Sequence, residues 1–173
     1  FEVDHPATQE RKREMLADAA IGVPDTLRFV PIDFERETLA DVLRSAGFNW
    51  AQRSFFSWLG VVPYLTEPVI FSTLRFIAEL AGGAEVMFDY VNPAASVATA
   101  GRAAHQALAE RVAAVGERFQ SYFDTAPLCA QMRAAGFRHV DDIGPAEIAM
   151  RFFPEAEQSA PARGGHIMHA STI

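Results

Sequence analysis

The sequence predicts an α/β fold built on a mostly parallel sheet, and three observations carry that expectation. Helix-type and strand-type segments alternate over roughly the first ninety residues, which is repeated βαβ. The run Ser54–Leu59 is apolar and aromatic without alternating, the pattern of a parallel strand covered on both faces. Half of the 173 residues are hydrophobic and 21% are charged, which is the composition of a chain with a core and excludes wholesale disorder. At roughly 150 residues per domain, one domain is expected over residues 1–173.

Each element has a local reason. Phe1–Val3 reads as the tail of a strand. A helix is expected from Pro6 to Ala20, with Pro6 in the first turn, an apolar stripe of Met15, Leu16 and Ala19, and Gly22 and Pro24 as breakers. Leu27–Phe34 is branched and aromatic and predicts a strand, with Pro31 marking its exit. A helix from Glu35 to Ala46 stops at Gly47. Ser54–Leu59 is the next strand, Thr66 caps a helix carrying Val69 to Leu80, and Ala84–Val91 is a further strand. From Ala94 to Phe123 the chain is alanine-rich and reads as two helices inserted after a strand's carboxyl end. Then come a helix at Leu128–Ala135, a strand at Phe137–Ile143, a helix at Ala146–Phe153, a loop over Glu155–Gly164 and a last strand at Gly165–Ala170.

Fifteen basic against 22 acidic residues give a net charge of −7. Phosphate binding needs a dense basic face, so no nucleic-acid partner is expected, nor an anionic membrane surface. The best apolar stretch, Val69–Gly82, is too short to span a bilayer and carries Arg75 and Glu79. A lone cysteine, Cys129, excludes an internal disulfide framework and fits a reducing compartment. With no signal peptide at the start, a cytoplasmic location is expected. The chain opens on Phe1-Glu2-Val3-Asp4 without a methionine, so it is expected to begin inside a larger fold.

In an open parallel sheet, ligands bind outside the carboxyl ends of the strands. The residues there are Asp4, then Asp33 and Phe34, then Trp58 to Tyr64, then Asp89 to Asn92. An acid at one strand end can accept hydrogen bonds from ribose hydroxyls, and one on the next strand can accept from an adenine amino group. Phe34 can pack on the purine. The competing explanation is that Asp4 and Asp33 are helix caps or turn formers. His166 and His169, three apart on a strand, fall on opposite faces, so no metal is expected. His139 and Asp141 share a face, where a structural hydrogen bond is expected. Cys129 is expected as a small core residue, and Arg102, Arg111 and Arg118 as a solvated helix face. There is no Gly-x-Ser-x-Gly elbow and no P-loop.

Phe1-Glu2-Val3-Asp4-His5-Pro6 resembles the strand-end motif of the leucine carboxyl methyltransferase family, and Phe29-Val30-Pro31-Ile32-Asp33-Phe34 is similar to its next motif. Gly60-Val61-Val62-Pro63-Tyr64-Leu65-Thr66, Phe88-Asp89-Tyr90-Val91, Ala134-Ala135-Gly136-Phe137 and Glu147–Phe153 fit the later parts. The resemblance covers essentially the whole chain. It implies an S-adenosylmethionine-dependent O-methyltransferase of the kind found in bacterial polyketide and other secondary metabolism. The implied fold is a Rossmann-like class I sheet, mostly parallel with a reversed strand near the C-terminus. Asp4 would hold the ribose of S-adenosyl-L-methionine, and Asp33 with Phe34 the adenine. The family's glycine-rich loop and first strand would lie upstream of Phe1. The chain alone is therefore expected to hold cofactor weakly, and its open strand edges to favour a homo-oligomer. Where relatives carry a glutamate before Gly60, this chain has Leu59.

The acceptor is expected to be a small, hydrophobic carboxylate or hydroxyl compound. Trp58, Tyr64 and Tyr122 are the candidate pocket residues, with residues 94–123 as a lid. Methyl transfer asks little of side chains: the sulfonium is already activated, a carboxylate acceptor is already ionised, and only a hydroxyl gains from a base. Two alternatives stand beside this reading, a non-catalytic remnant of such an enzyme and a nicotinamide-dependent oxidoreductase domain.

Overall fold

In the computed structural model, which describes residues 1–114, 116, 118–152 and 165–173, the chain divides into units of Phe1–Trp50 and Ala51–Ile173. The first unit pairs β1 (Glu2–Asp4) with β2 (Phe29–Pro31) in parallel, Glu2 opposite Phe29 and Asp4 opposite Pro31. The Ile32 amide extends the ladder by donating to the Asp4 carbonyl at 2.9 Å. Between the strands runs α1 (Pro6–Asp18), whose first turn holds Pro6 as expected. Its expected stripe is not what it buries: Met15 is 62% exposed, whereas Gln9 is buried. The Gln9 amide donates to the Glu2 carboxylate at 2.7 Å and to the Glu2 carbonyl at 3.1 Å, so the polar face packs on β1.

β2 ends at Pro31, the residue expected to mark its exit. The helix that follows, α2 (Leu39–Ser45), starts four residues later than expected, because residues 34–36 form a turn on Asp33. Thr38 caps it, its hydroxyl accepting from the Asp41 amide. Gly47, at φ +77°, stops it as the sequence predicts. Val30, Ile32, Leu39 and Leu43 form the small apolar core of this unit.

The second unit holds β3 (Ser54–Trp58), α3 (Glu67–Ala78), β4 (Ala84–Val91), α4 (Thr99–Ala114), α5 (Thr125–Ala134), β5 (His139–Ile143), α6 (Pro145–Phe152) and β6 (Gly165–Ser171). The sheet order is β3-β4-β6-β5. β3 and β4 are parallel, and β6 runs antiparallel to both β4 and β5, so the reversed strand near the C-terminus is present. β4 shows why the sheet is covered on one side. Ala84, Val86, Phe88 and Tyr90 are all buried, while Glu85, Met87 and Asp89 between them are only partly covered. α3 packs on β4 with Ile70, Leu74 and Ile77, and α5 packs on β5 with Leu128 and Met132.

Three expectations need correction. β3 is not buried throughout: Phe55 is 59% exposed and Ser57 is exposed, alternate residues of a strand at the edge of the sheet. The stretch from Ala94 to Phe123 forms a short 3-10 turn at Ala94–Ser96 and one α-helix, α4, among its described residues, rather than two helices. Beyond α4 it runs as irregular chain through residues 118–124, tied to other elements by hydrogen bonds described below. His139 and Asp141 are both exposed and make no hydrogen bond to one another. The expected loop at Glu155–Gly164 lies outside the described residues. No described helix is long and apolar enough to cross a membrane.

The turn into β4 is unusually close to backbone. A Cβ on Gly82 would sit 2.3 Å from the Gln52 carbonyl carbon and 2.6 Å from that of Ala51, distances no real side chain occupies. Gly82→Ala should therefore cost about 1–3 kcal/mol by forcing the backbone apart. Gly22→Ala, with nothing within 4 Å, should leave stability nearly unchanged. Denaturant midpoints of the two variants check this.

Candidate functional site

In the first unit, Asp4 is the last residue of β1 and Asp33 lies two residues past the end of β2, and these neighbouring parallel strands are about 5 Å apart. Their local bonding differs. Asp4 Oδ1 accepts from the His5 amide at 2.7 Å, and its Oδ2 has no partner among the described residues. Helix α1 is capped by His5, whose Nδ1 accepts from the Ala7 amide, so Asp4 is not the cap. Asp33 is more committed: Oδ1 accepts from the Glu35 amide at 3.0 Å and Oδ2 lies 3.4 Å from Arg36 Nε. It holds the turn rather than capping a helix. Phe34 beside it is half-buried. Asp4 thus keeps one carboxylate oxygen without a partner among the described residues, one strand over from a second acid and an aromatic ring. An open groove of about 370 Å3 in this unit, lined by residues such as Phe29, Pro31, Glu37 and Val42, includes none of the three.

In the second unit, Trp58 ends β3 and is 9% exposed, its ring edge-on to Phe88 at 6.4 Å. Tyr64 and Tyr122 are joined through Phe119, with ring centroids 5.4 Å and 6.1 Å apart respectively. Tyr122 continues to His105 of α4 at 6.2 Å. The sequence carried no signal for His105, which is 4% exposed and whose buried Nδ1 has no hydrogen-bond partner among the described residues.

The chain from Gln120 to Phe123 is strapped across the ends of β3 and β4. The amides of Gln120 and Ser121 donate to the Pro63 carbonyl, and the Ser121 hydroxyl donates to that of Val62 at 3.0 Å. The Phe123 amide donates to the Val91 carbonyl at 3.0 Å, and buried Asn92 returns a bond to the Phe123 carbonyl at 2.9 Å. These bonds on both sides of Tyr122 hold the strap against the ends of β3 and β4. The loop after β3 is set by Gly60, at φ +73°, whose amide donates to Asp89.

Beyond the strap lies a polar cluster that periodicity alone did not reveal. Tyr90 donates to Asp142 Oδ1 at 2.8 Å and is bonded to the Thr125 hydroxyl at 2.7 Å. His166 Nδ1 lies 3.0 and 2.9 Å from the two Asp142 oxygens. Burial, reinforced by Asp142, pushes the Tyr90 phenol well above its ordinary range, so it remains a donor. Burial and then Asp142 also push the Cys129 thiol up. On the opposite face, Glu85 is bonded to Arg53 at 2.5 Å and to His169 at 3.2 Å, with its carboxyl held below the usual value chiefly by Arg53. The two histidines thus fall on opposite faces, each with its own carboxylate. Among the described residues no group of three metal-ligating side chains occurs.

Comparison with known proteins agrees on family and fold. The leucine carboxyl methyltransferase family matches residues 1–78. The chain is 32% identical over 174 residues to YktD of Bacillus subtilis (strain 168), named for S-adenosyl-L-methionine-dependent methyl transfer. That alignment covers 98% of this chain and 56% of YktD, so the chain spans little more than half of that relative. A Nostoc punctiforme PCC 73102 structure described as an O-methyltransferase superposes with a TM-score of 0.56 at 10% identity, over 98% of this chain and 42% of that one. An O-methyltransferase family 2 protein from Planctomyces limnophilus DSM 3776, solved with apigenin, gives 0.53 at 12% identity, over 99% and 42%. At such identities it is the fold that is shared, an α/β arrangement with a mixed sheet that matches the C-terminal portion of class I O-methyltransferases.

Proposed function

We propose that this chain, whose residues 1–78 match the leucine carboxyl methyltransferase family, serves the transfer of a methyl group from S-adenosyl-L-methionine to an oxygen of a small, mainly apolar acceptor. The observation that carries this reading is the pair Asp4 and Asp33 at adjacent strand ends, with Asp4 Oδ2 left open. When bound, S-adenosyl-L-methionine supplies an activated methyl group. Asp4 accepts from the ribose hydroxyls, held in place by its bond from the His5 amide. Asp33 accepts from the adenine amino group, and Phe34 packs on the base. Within the second unit, Tyr64, Phe119 and Tyr122 give apolar walls for an acceptor, and the strap keeps them at that unit's own sheet edge. Trp58, at the end of β3 and edge-on to Phe88, is the remaining candidate wall. The apigenin complex of the structural neighbour supports an aromatic small molecule as acceptor class. α4 and the strap act together as a lid over that edge, and water exclusion is their contribution to the rate.

Calorimetric titration with S-adenosylhomocysteine tests the cofactor half. Asp4→Ala should weaken binding by about 1.5–3 kcal/mol, the loss of a charge-assisted bond. Asp33→Ala should cost less, because that carboxylate is already engaged by Glu35 and Arg36. Equal binding by wild type and Asp4→Ala would reduce Asp4 to a turn former.

Tyr122 tests the acceptor half. It is 36% exposed and packs on Phe119 and His105, so Tyr122→Ala should lower the thermal midpoint modestly without unfolding the chain. Competition between two acceptors of different width should shift several-fold in that variant, with S-adenosylhomocysteine affinity intact. A sharp loss of stability with unchanged preference would make Tyr122 a packing residue.

A further inference from the structure

We infer that the groove between β2 and α2 is a docking site for another protein. Its occupant is an extended chain segment carrying a lysine or arginine, laid along β2 as a further strand. Every residue that lines the groove belongs to the first unit, and the inference does not depend on methyl transfer.

The ladder leaves the outer edge of β2 open. The Glu2 amide donates to the Arg28 carbonyl at 2.8 Å, and the Ile32 amide to the Asp4 carbonyl at 2.9 Å. In a parallel pair, alternate residues of a strand bond to the neighbour, so Arg28, Val30 and Ile32 turn their peptide groups toward β1. Phe29 and Pro31 turn theirs the other way, and those groups hydrogen-bond to no described residue. Proline has no N–H, so the edge offers one donor, at Phe29, and the carbonyls of Phe29 and Pro31 as acceptors. An added strand satisfies all of them, which is how exposed sheet edges recognise extended peptides.

The edge does not stand on bare surface. It forms one wall of the groove of about 370 Å3, and α2 forms the other. Val30, Val42 and Ala46 give that space an apolar lining, suited to the side chains on one face of a strand. β2 is three residues long, so the contact is small and the affinity micromolar rather than tight.

Charge selects the occupant. The lining carries the carboxylates of Glu37 and Asp41 and no cation. Asp41 is shared with Arg44 at 3.1 Å, and Arg44 in turn lies over the Trp50 ring. Glu37 accepts from the Asp33 amide at 3.2 Å and has no ion pair among the described residues. The cation beside β2, Arg13 of α1, lies over the Phe29 ring at 5.3 Å and is not part of the lining. A basic side chain on the added strand therefore finds an unpaired carboxylate beside the main-chain bonds. A second copy of this chain would instead set these carboxylates against themselves, because a two-fold contact brings a patch onto its own image. An acidic segment meets the same repulsion.

The test titrates the isotope-labelled full chain with three peptides and follows its amide resonances. The probes are acetyl-Val-Lys-Val-Lys-Val-amide, its counterpart with glutamate in place of lysine, and its counterpart N-methylated at every residue. The basic peptide should bind saturably, shift the Phe29 amide and slow its exchange with solvent, since that amide is the edge's single donor. The methylated peptide, which cannot donate to the Phe29 and Pro31 carbonyls, should bind about tenfold or more weakly. The acidic peptide should also bind more weakly than the basic one. Glu37→Gln should weaken the basic peptide about two- to fivefold, and added salt should weaken it in wild type. Equal binding of basic and acidic peptides, binding indifferent to N-methylation, binding that leaves Phe29 unmoved, or no saturable binding would overturn the inference. Movement of Phe29 on raising the protein concentration alone would overturn it too, by making a second copy the occupant. The peptide arms stand on wild type, so they decide the matter even if Glu37→Gln fails to fold. None of these readouts involves S-adenosyl-L-methionine, so their failure leaves methyl transfer standing.

Discussion

The second unit depends on one constraint: β6 enters the sheet antiparallel between β4 and β5 and pairs with both. Register along β6 decides which side chains meet. Met168 lies between Phe88 and Asp142, and His169 between Met87 and Asp141. Because side chains alternate, a slip of one residue would send His166 to the face of Glu85 and break its pairing with Asp142. The buried apolar set on the α3 and α5 side, Val86, Phe88, Met168 and Ala170, holds the register. The polar cluster at the edge is thus a by-product of where the core residues must go.

The charges of the two faces follow from the same alternation. On the covered face, Asp142 is sheltered but accepts from Tyr90 and His166, so its lone pairs are used. On the open face, Glu85 joins Arg53 and His169. Removing a partner from the sheltered cluster leaves a polar group without compensation, whereas water can replace the partners of Glu85. The first unit uses its acids differently, spending the Asp33 carboxylate on a turn and leaving one oxygen of Asp4 open.

Much of this was legible in the sequence. Gly47 and Pro31 ended their elements where expected, β4 matched its predicted bounds, and the reversed last strand followed from the family resemblance. Opposite faces for His166 and His169 followed from spacing alone. What failed was pairing across the sheet. Asp141 and Asp142 are adjacent, and only the register against β6 places Asp141 opposite His169 and brings Asp142 to His166, so the expected bond between His139 and Asp141 is not the one that forms. The strap was missed because its ladder is made by Pro63 and Val91 carbonyls, which any sequence would supply. The helix after Asp33 was placed early because an Asx-type turn and an N-cap look alike until the amide partner is known.

The central claim is that adenosine is held at the paired ends of β1 and β2. Amide resonances in the isotope-labelled protein, followed during titration with S-adenosylhomocysteine, test it most directly. The amides of His5 and Glu35 donate to the Asp4 and Asp33 carboxylates and so report on both. The account predicts that both resonances move together in a saturable way. Saturable binding that leaves both unmoved would contradict it.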